Sequence, residues 1–137
     1  QQVIGEWIRL AEEELYDELA VDTMEKSQTE QYLKKVRPFY WFVKRTSKPQ
    51  SKERFLLQAE SCRNHDAFAN LPQIQAPTFV IGGGADNIVG GSEVQHEIAE
   101  SIPNSQLYIY ENLGHGAFME AKDFNMRIYR FLTETQF

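Results

Sequence analysis

The sequence predicts an α/β protein: an all-helical segment over residues 1–64, then a strand–helix–strand–helix unit over residues 65–137 with two parallel strands. Three observations carry this. Upstream, apolar residues recur at helical spacing and nothing alternates as a strand would. Downstream, Pro77-Thr78-Phe79-Val80-Ile81 is a short continuous apolar run ending in Gly82-Gly83-Gly84, the pattern of a strand buried on both faces of a parallel sheet. The composition, 42% hydrophobic and 25% charged with a formal charge of -6 over 137 residues, fits an ordinary globular domain. It excludes a collagen, a mucin or a highly charged disordered tail.

The elements follow in order. Val3, Ile4, Trp7, Ile8, Ala11, Leu15 and Leu19 form one helical stripe, so a single helix is expected over residues 3–21, interrupted at Asp22-Thr23. Ser27 or Thr29 can cap a second helix over residues 30–43, kinked or divided at Pro38. Ser47-Lys48-Pro49-Gln50-Ser51 reads as a polar loop. Ser51 is then the N-cap of a third helix over residues 52–69, with Phe55, Leu56, Ala59, Cys62 and Phe68 inward. After Leu71-Pro72 come the first strand, a helix over residues 92–101 with Val94, Ile98 and Ile102 on one face, and a turn at Pro103-Asn104. A second strand at residues 106–110 precedes a last helix over residues 124–132 with Ile128, Phe131 and Leu132 inward. The two strands are expected to be parallel, joined by a right-handed crossover. Two strands are few, and their edges call for more sheet.

Charge is unevenly spread. Residues 1–30 carry nine acids against Arg9 and Lys26, residues 31–60 eight basic groups against Glu53 and Glu60, and residues 61–137 nine acids against four bases. The basic block contains Phe39-Tyr40-Trp41-Phe42, a composition that can bind nucleic acid. An acidic helix just upstream makes interleaved packing of two oppositely charged helices the better account. No nucleic-acid partner is therefore expected, and the absence of a long apolar run argues against a membrane span. The single Cys62 permits no internal disulfide, so a cytoplasmic location is the default expectation. The chain opens on Gln1 inside an amphipathic pattern, with no signal-peptide features, which reads as a fragment, a split subunit or a processed product.

Candidate chemistry gathers where the two strands end, the place where parallel sheets bind ligands. Gly84-Ala85-Asp86-Asn87-Ile88-Val89 follows the first strand and Glu111-Asn112-Leu113-Gly114-His115-Gly116-Ala117-Phe118 the second. A carboxylate accepting from one imidazole nitrogen fixes the tautomer and leaves the other free as a general base. Taken singly, Asp86 is a loop residue and His115 a surface histidine; on adjacent strand ends in this order they read as a catalytic pair. His65-Asp66, His96-Glu97 and His115 match no metal-ligand spacing, and Gly82-Gly83-Gly84 lacks the Lys-Ser/Thr of a phosphate loop. Neither a metal nor a cofactor is expected.

Residues 77–89, followed by Gly114-His115-Gly116-Ala117-Phe118-Met119-Glu120, resemble the C-terminal portion of an α/β-hydrolase-fold enzyme, and His65-Asp66-Ala67-Phe68-Ala69-Asn70-Leu71-Pro72-Gln73-Ile74 resembles that family's lead-in. The likeness implies Asp86 as triad acid and His115 as triad base, in the order nucleophile, acid, histidine. It also implies that residues 1–64 form a lid or cap. The family's Gly-x-Ser-x-Gly elbow is absent: Gly90-Gly91-Ser92-Glu93-Val94 is the nearest string, and Ser92 there reads as a helix N-cap. Cys62, mid-helix on an apolar face, reads as a core residue and not as a substitute nucleophile.

Two function classes follow. One is the C-terminal part of a serine-type, esterase-like or acyl-cleaving hydrolase, supplying acid and base but no nucleophile and inactive alone. Ile88, Val89, Phe39, Tyr40 and Trp41 are then its substrate-binding candidates, Trp7 and Phe42 further lid aromatics, and a small molecule its substrate. The other is a non-catalytic remnant or interaction module on that scaffold. In either class the open sheet is expected to be completed by an N-terminal hydrolase segment or by a second copy through self-association.

Overall fold

A computed structural model describes residues 2–49 and 51–134. They fall into two compact units. One comprises the residues up to Lys26 together with Glu30–Asp66; the other comprises Ser27–Thr29 together with the residues from Ala67 onward.

The first unit is helical throughout: α1 (Gln2–Glu12), α2 (Tyr16–Ser27, with its last residue in the second unit), α3 (Glu30–Val36), α4 (Tyr40–Thr46) and α5 (Lys52–Asn64). The single first helix expected from the apolar stripe is two. Glu14 adopts a left-handed φ of 59°, the Leu15 N–H donates to the Leu10 carbonyl at 2.8 Å and the Glu14 N–H to that of Ala11 at 3.2 Å. That is a Schellman ending made without glycine, and Leu15 packs against the Leu10 cluster as the motif requires. The interruption expected at Asp22-Thr23 does not occur, because partners absorb both polar groups. Asp22 accepts from the Trp7 indole N–H at 2.7 Å and from Lys26 at 2.6 Å, while the Thr23 hydroxyl donates back to the Leu19 carbonyl at 2.8 Å.

Leu10, Ala11 and Leu19 form the core of this unit, with Trp7, Leu15, Tyr16, Phe55 and Leu56 packed around them. Pro38 lies in a 3-10 turn, Arg37–Phe39, that divides α3 from α4. Ser51 caps α5 as expected, accepting from the Arg54 N–H at 3.2 Å; Gln50, in the preceding loop, lies outside the described residues. α5 ends at Asn64, not near residue 69, because His65 turns to extended backbone. Cys62 is exposed, contrary to its reading as core. Phe55, Leu56 and Ala59 make the buried stripe of α5, and burial stops one turn short of Cys62. Phe68, from the same expected stripe, is exposed as well.

The opposite charges do interleave. Arg37 forks onto Glu25 at 2.8 Å and Glu30 at 2.6 Å, and Tyr40 donates its hydroxyl to Glu25 at 2.9 Å. Arg37 holds both carboxyls below their ordinary range, and burial beside Glu25 pushes the Tyr40 phenol up to about 12. Carboxyls depressed by folding stabilise at neutral pH, and that contribution is lost as pH falls through their lowered pKa values. The groups are part-exposed, so solvent screening keeps the network's contribution small. Arg37→Met is expected to lower the melting temperature at pH 7, and by progressively less as the pH falls through the lowered range of Glu25 and Glu30, measured by circular dichroism.

In the second unit, β1 (Thr78–Gly83) and β2 (Ser105–Tyr110) pair in parallel, Thr78 opposite Ser105 and Gly83 opposite Tyr110. Between them runs α6 (Gly91–Ser101); α7 (Ala117–Glu120) and α8 (Phe124–Glu134) follow β2. Phe79 stacks on Phe131 and Tyr110 on Phe124, which puts α8 on one face. Gly82 lies against the Gln95 side chain, which puts α6 on the other. The strands are half-buried except at the buried Gly83 and the exposed Gln106, not buried as their sequence implied. Among the described residues the sheet has only two strands, so each keeps an unpaired edge. Leu132 is exposed as well, whereas Phe131 holds the sheet.

Candidate active site

Two strand ends build the site. At the end of β1, Gly84 donates its N–H to the Tyr110 carbonyl at 2.9 Å and Ala85 donates to that of Leu113 at 3.0 Å, so the loop after β1 is tied to the loop after β2. The tie is close because Gly83 has no side chain: a Cβ there would lie 2.2 Å from the carbonyl oxygens of both Leu113 and Gly114. Gly90 and Gly91 then turn the chain into α6 with φ of 105° and 61°, values that suit glycine. Gly90 is the N-cap. Ser92 is not: it lies in the first turn, its N–H donating to the Gly84 carbonyl at 3.2 Å.

Asp86 and His115, 29 residues apart, meet there. Asp86 Oδ2 is 2.8 Å from His115 Nδ1, and Asp86 Oδ1 accepts the backbone N–H groups of Ile88 at 2.8 Å and Val89 at 3.1 Å. The carboxylate is buried, its side chain 6% exposed; the imidazole is 44% exposed. Oδ1 is thus held by the loop's own backbone and Oδ2 is directed at the ring. Nε2 has no hydrogen-bond partner among the described residues.

The other sequence candidates are placed as follows. Ile88 and Val89 share the Asp86 loop, with Val89 half-exposed. Phe39 and Trp41 are exposed in the helical unit, where Trp41 meets Phe42 edge-on at 5.9 Å, while the Tyr40 hydroxyl is committed to Glu25. Sequence reasoning passed over Gln95. It is buried on α6 and donates to the Gly83 carbonyl at 2.8 Å, a polar residue whose role only packing reveals. The short helix α7, directly after His115, was also unforeseen.

No protein-family model matches the chain. A 2-hydroxy-6-oxononadienedioate/2-hydroxy-6-oxononatrienedioate hydrolase of Pseudomonas putida is 37% identical over 68 residues, 49% of this chain and 23% of that protein. Among solved structures, an α/β hydrolase from a Medee basin deep-sea metagenome library superposes with a TM-score of 0.86 at 20% identity. The match covers 99% of this chain and 51% of that one. An enol-lactonase from Burkholderia xenovorans gives 0.81 at 20% identity, covering 96% and 50%. The chain has the C-terminal part of an α/β-hydrolase fold. It spans about half the length of these solved hydrolases. In this portion of the α/β-hydrolase fold, Asp86 and His115 sit at the carboxyl ends of neighbouring parallel strands. The sequence of this portion contains no Gly-x-Ser-x-Gly string, and none of its described helices is long and apolar enough to cross a membrane.

Proposed function

We propose that this chain supplies the acid and base of a serine-type hydrolase, esterase-like or acyl-cleaving, whose nucleophile and oxyanion donors lie outside residues 1–137. The observation that carries the reading is the buried Asp86 carboxylate 2.8 Å from Nδ1 of a half-exposed His115. Asp86 accepts the Nδ1 proton and so leaves Nε2 unprotonated. Nε2 takes the proton of a serine hydroxyl as that oxygen attacks an acyl carbon, and Asp86 stabilises the imidazolium formed. The imidazolium returns the proton to the leaving group, and the cycle repeats with water to free the acyl product. Ile88 and Val89, on the Asp86 loop, are its substrate-binding candidates.

Base, orienter and nucleophile act as a unit, so the chain alone is silent. A strand added from an upstream segment, or from a second copy, completes the sheet. Ester hydrolysis assayed with the chain alone, and with an upstream segment carrying a Gly-x-Ser-x-Gly elbow, tests this. Activity is expected only in the second case. Activity absent from both favours the non-catalytic module that the missing elbow also fits.

A further inference from the structure

His115 is gripped from two directions, and only one of them is Asp86. The second unit includes the last residue of α2, Ser27, and the two residues that link α2 to α3, Gln28 and Thr29, and these lie against the His115 loop. Gly116, the residue after His115, donates its N–H to the Ser27 carbonyl at 2.7 Å. Glu120, at the end of α7, accepts the Thr29 N–H on Oε1 at 2.8 Å and the Thr29 hydroxyl on Oε2. Gln28 donates from its amide to the Met119 sulfur at 3.4 Å. The approach is close enough that a Cβ at Gly114 would lie 3.0 Å from the Ser27 carbonyl oxygen, and one at Gly116 2.3 Å from the Gln28 side chain.

We propose that Glu120 is a positioning residue for His115, acting through Thr29 and the Ser27–Gly116 bond to hold the backbone on which the imidazole is mounted. The inference rests on the hydrolase reading for its purpose, not for its geometry. His115 is half-exposed and one hydrogen bond orients its ring, so the direction of Nε2 depends on how firmly residues 114–116 are held. Burial does not hold a ring that faces solvent. A carboxylate receiving a backbone N–H and a hydroxyl does hold its partner, since charge-assisted bonds are about twice as strong as neutral ones. Glu120 is half-buried and makes both bonds to a single residue, so α7 and the α2–α3 link form one clasp. The clasp holds the residues that follow His115, and Asp86 holds the ring itself.

Proton and amide-exchange NMR on the 137-residue chain tests the proposal, helped by there being only three histidines. In Glu120→Ala the downfield Nδ1 proton shared with Asp86 is expected to broaden into solvent, and the Gly116 and Thr29 amides to exchange about tenfold faster. Glu120→Gln offers a carbonyl oxygen to the Thr29 N–H and an amide to its hydroxyl oxygen, both neutral bonds, and is expected to restore both readouts in part. Thr29→Val, which keeps the backbone bond and loses the hydroxyl, is expected to fall between them and serves where Glu120→Ala does not fold. Amide exchange at Gly116 and an Nδ1 proton both unchanged in Glu120→Ala, or in Thr29→Val if that is the variant that folds, overturn the proposal. Asp86→Asn separates this from the hydrolase reading. It is expected to abolish the Nδ1 proton with Gly116 exchange unchanged, and a proton that survives it counts against the acid–base pair while the exchange data still judge the clasp.

Discussion

Asp86→Asn is expected to lower kcat of the complemented hydrolase about 10⁴-fold, and His115→Ala about 10⁶-fold, with KM little changed. The asparagine effect follows from how the two carboxylate oxygens are used. Oδ1 already accepts the Ile88 and Val89 N–H groups, so an asparagine keeps its carbonyl oxygen there and turns its amide nitrogen toward His115. An amide N–H facing Nδ1 makes that nitrogen the acceptor and moves the ring proton to Nε2. The proposed base then presents a proton, not a lone pair, to the proposed serine hydroxyl. The fold is expected to survive, because both backbone bonds to Oδ1 remain. Steady-state ester hydrolysis measures the loss, and an Asp86→Asn enzyme within tenfold of the parent would sink the triad assignment.

Gly83→Ala is expected to destabilise the second unit by about 3 kcal/mol or more, the range of severe overpacking. The added Cβ meets backbone carbonyl oxygens of both Leu113 and Gly114 at 2.2 Å, and no side-chain rotation can relieve two backbone contacts. To accommodate it, the end of β1 must separate from the loop that carries His115, lengthening the 2.8 Å bond to Asp86 as it does so. Urea unfolding measures the stability change. A midpoint within experimental error of the parent would show that this approach is not tight.

Much of this was legible beforehand. The run from Thr78 to Ile81 is apolar, β-branched or aromatic, and bounded by proline and glycine, so a strand there needs no tertiary information. Ser51 before Lys52 announces a cap by its own side chain. The helical character of the first 64 residues follows from spacing alone, but its divisions do not. Glu14 ends α1 in a left-handed conformation because Leu15 gains a place in the core, and Asp22 stays inside α2 because Trp7 and Lys26 meet it. Cys62 illustrates the converse. Its position continues a stripe, yet it is exposed.

The candidate site divides along the same line. Chain order and composition determined that an acid and a histidine leave the carboxyl ends of two consecutive parallel strands, because strand positions and the crossover are local and topological properties. That Asp86 and His115 touch was decided by tertiary structure. Their separation depends on the missing Cβ of Gly83, the Ala85-to-Leu113 bond and the hold of Thr29 on Glu120, contacts between residues up to 91 positions apart. Glu120 closes the Gly114–Glu120 string that resembles the family, but nothing in that string assigns it a role. It acquires a role only because the fold brings the Thr29 amide to it, and a hydrogen bond, unlike a periodicity, exists only once both partners are in place.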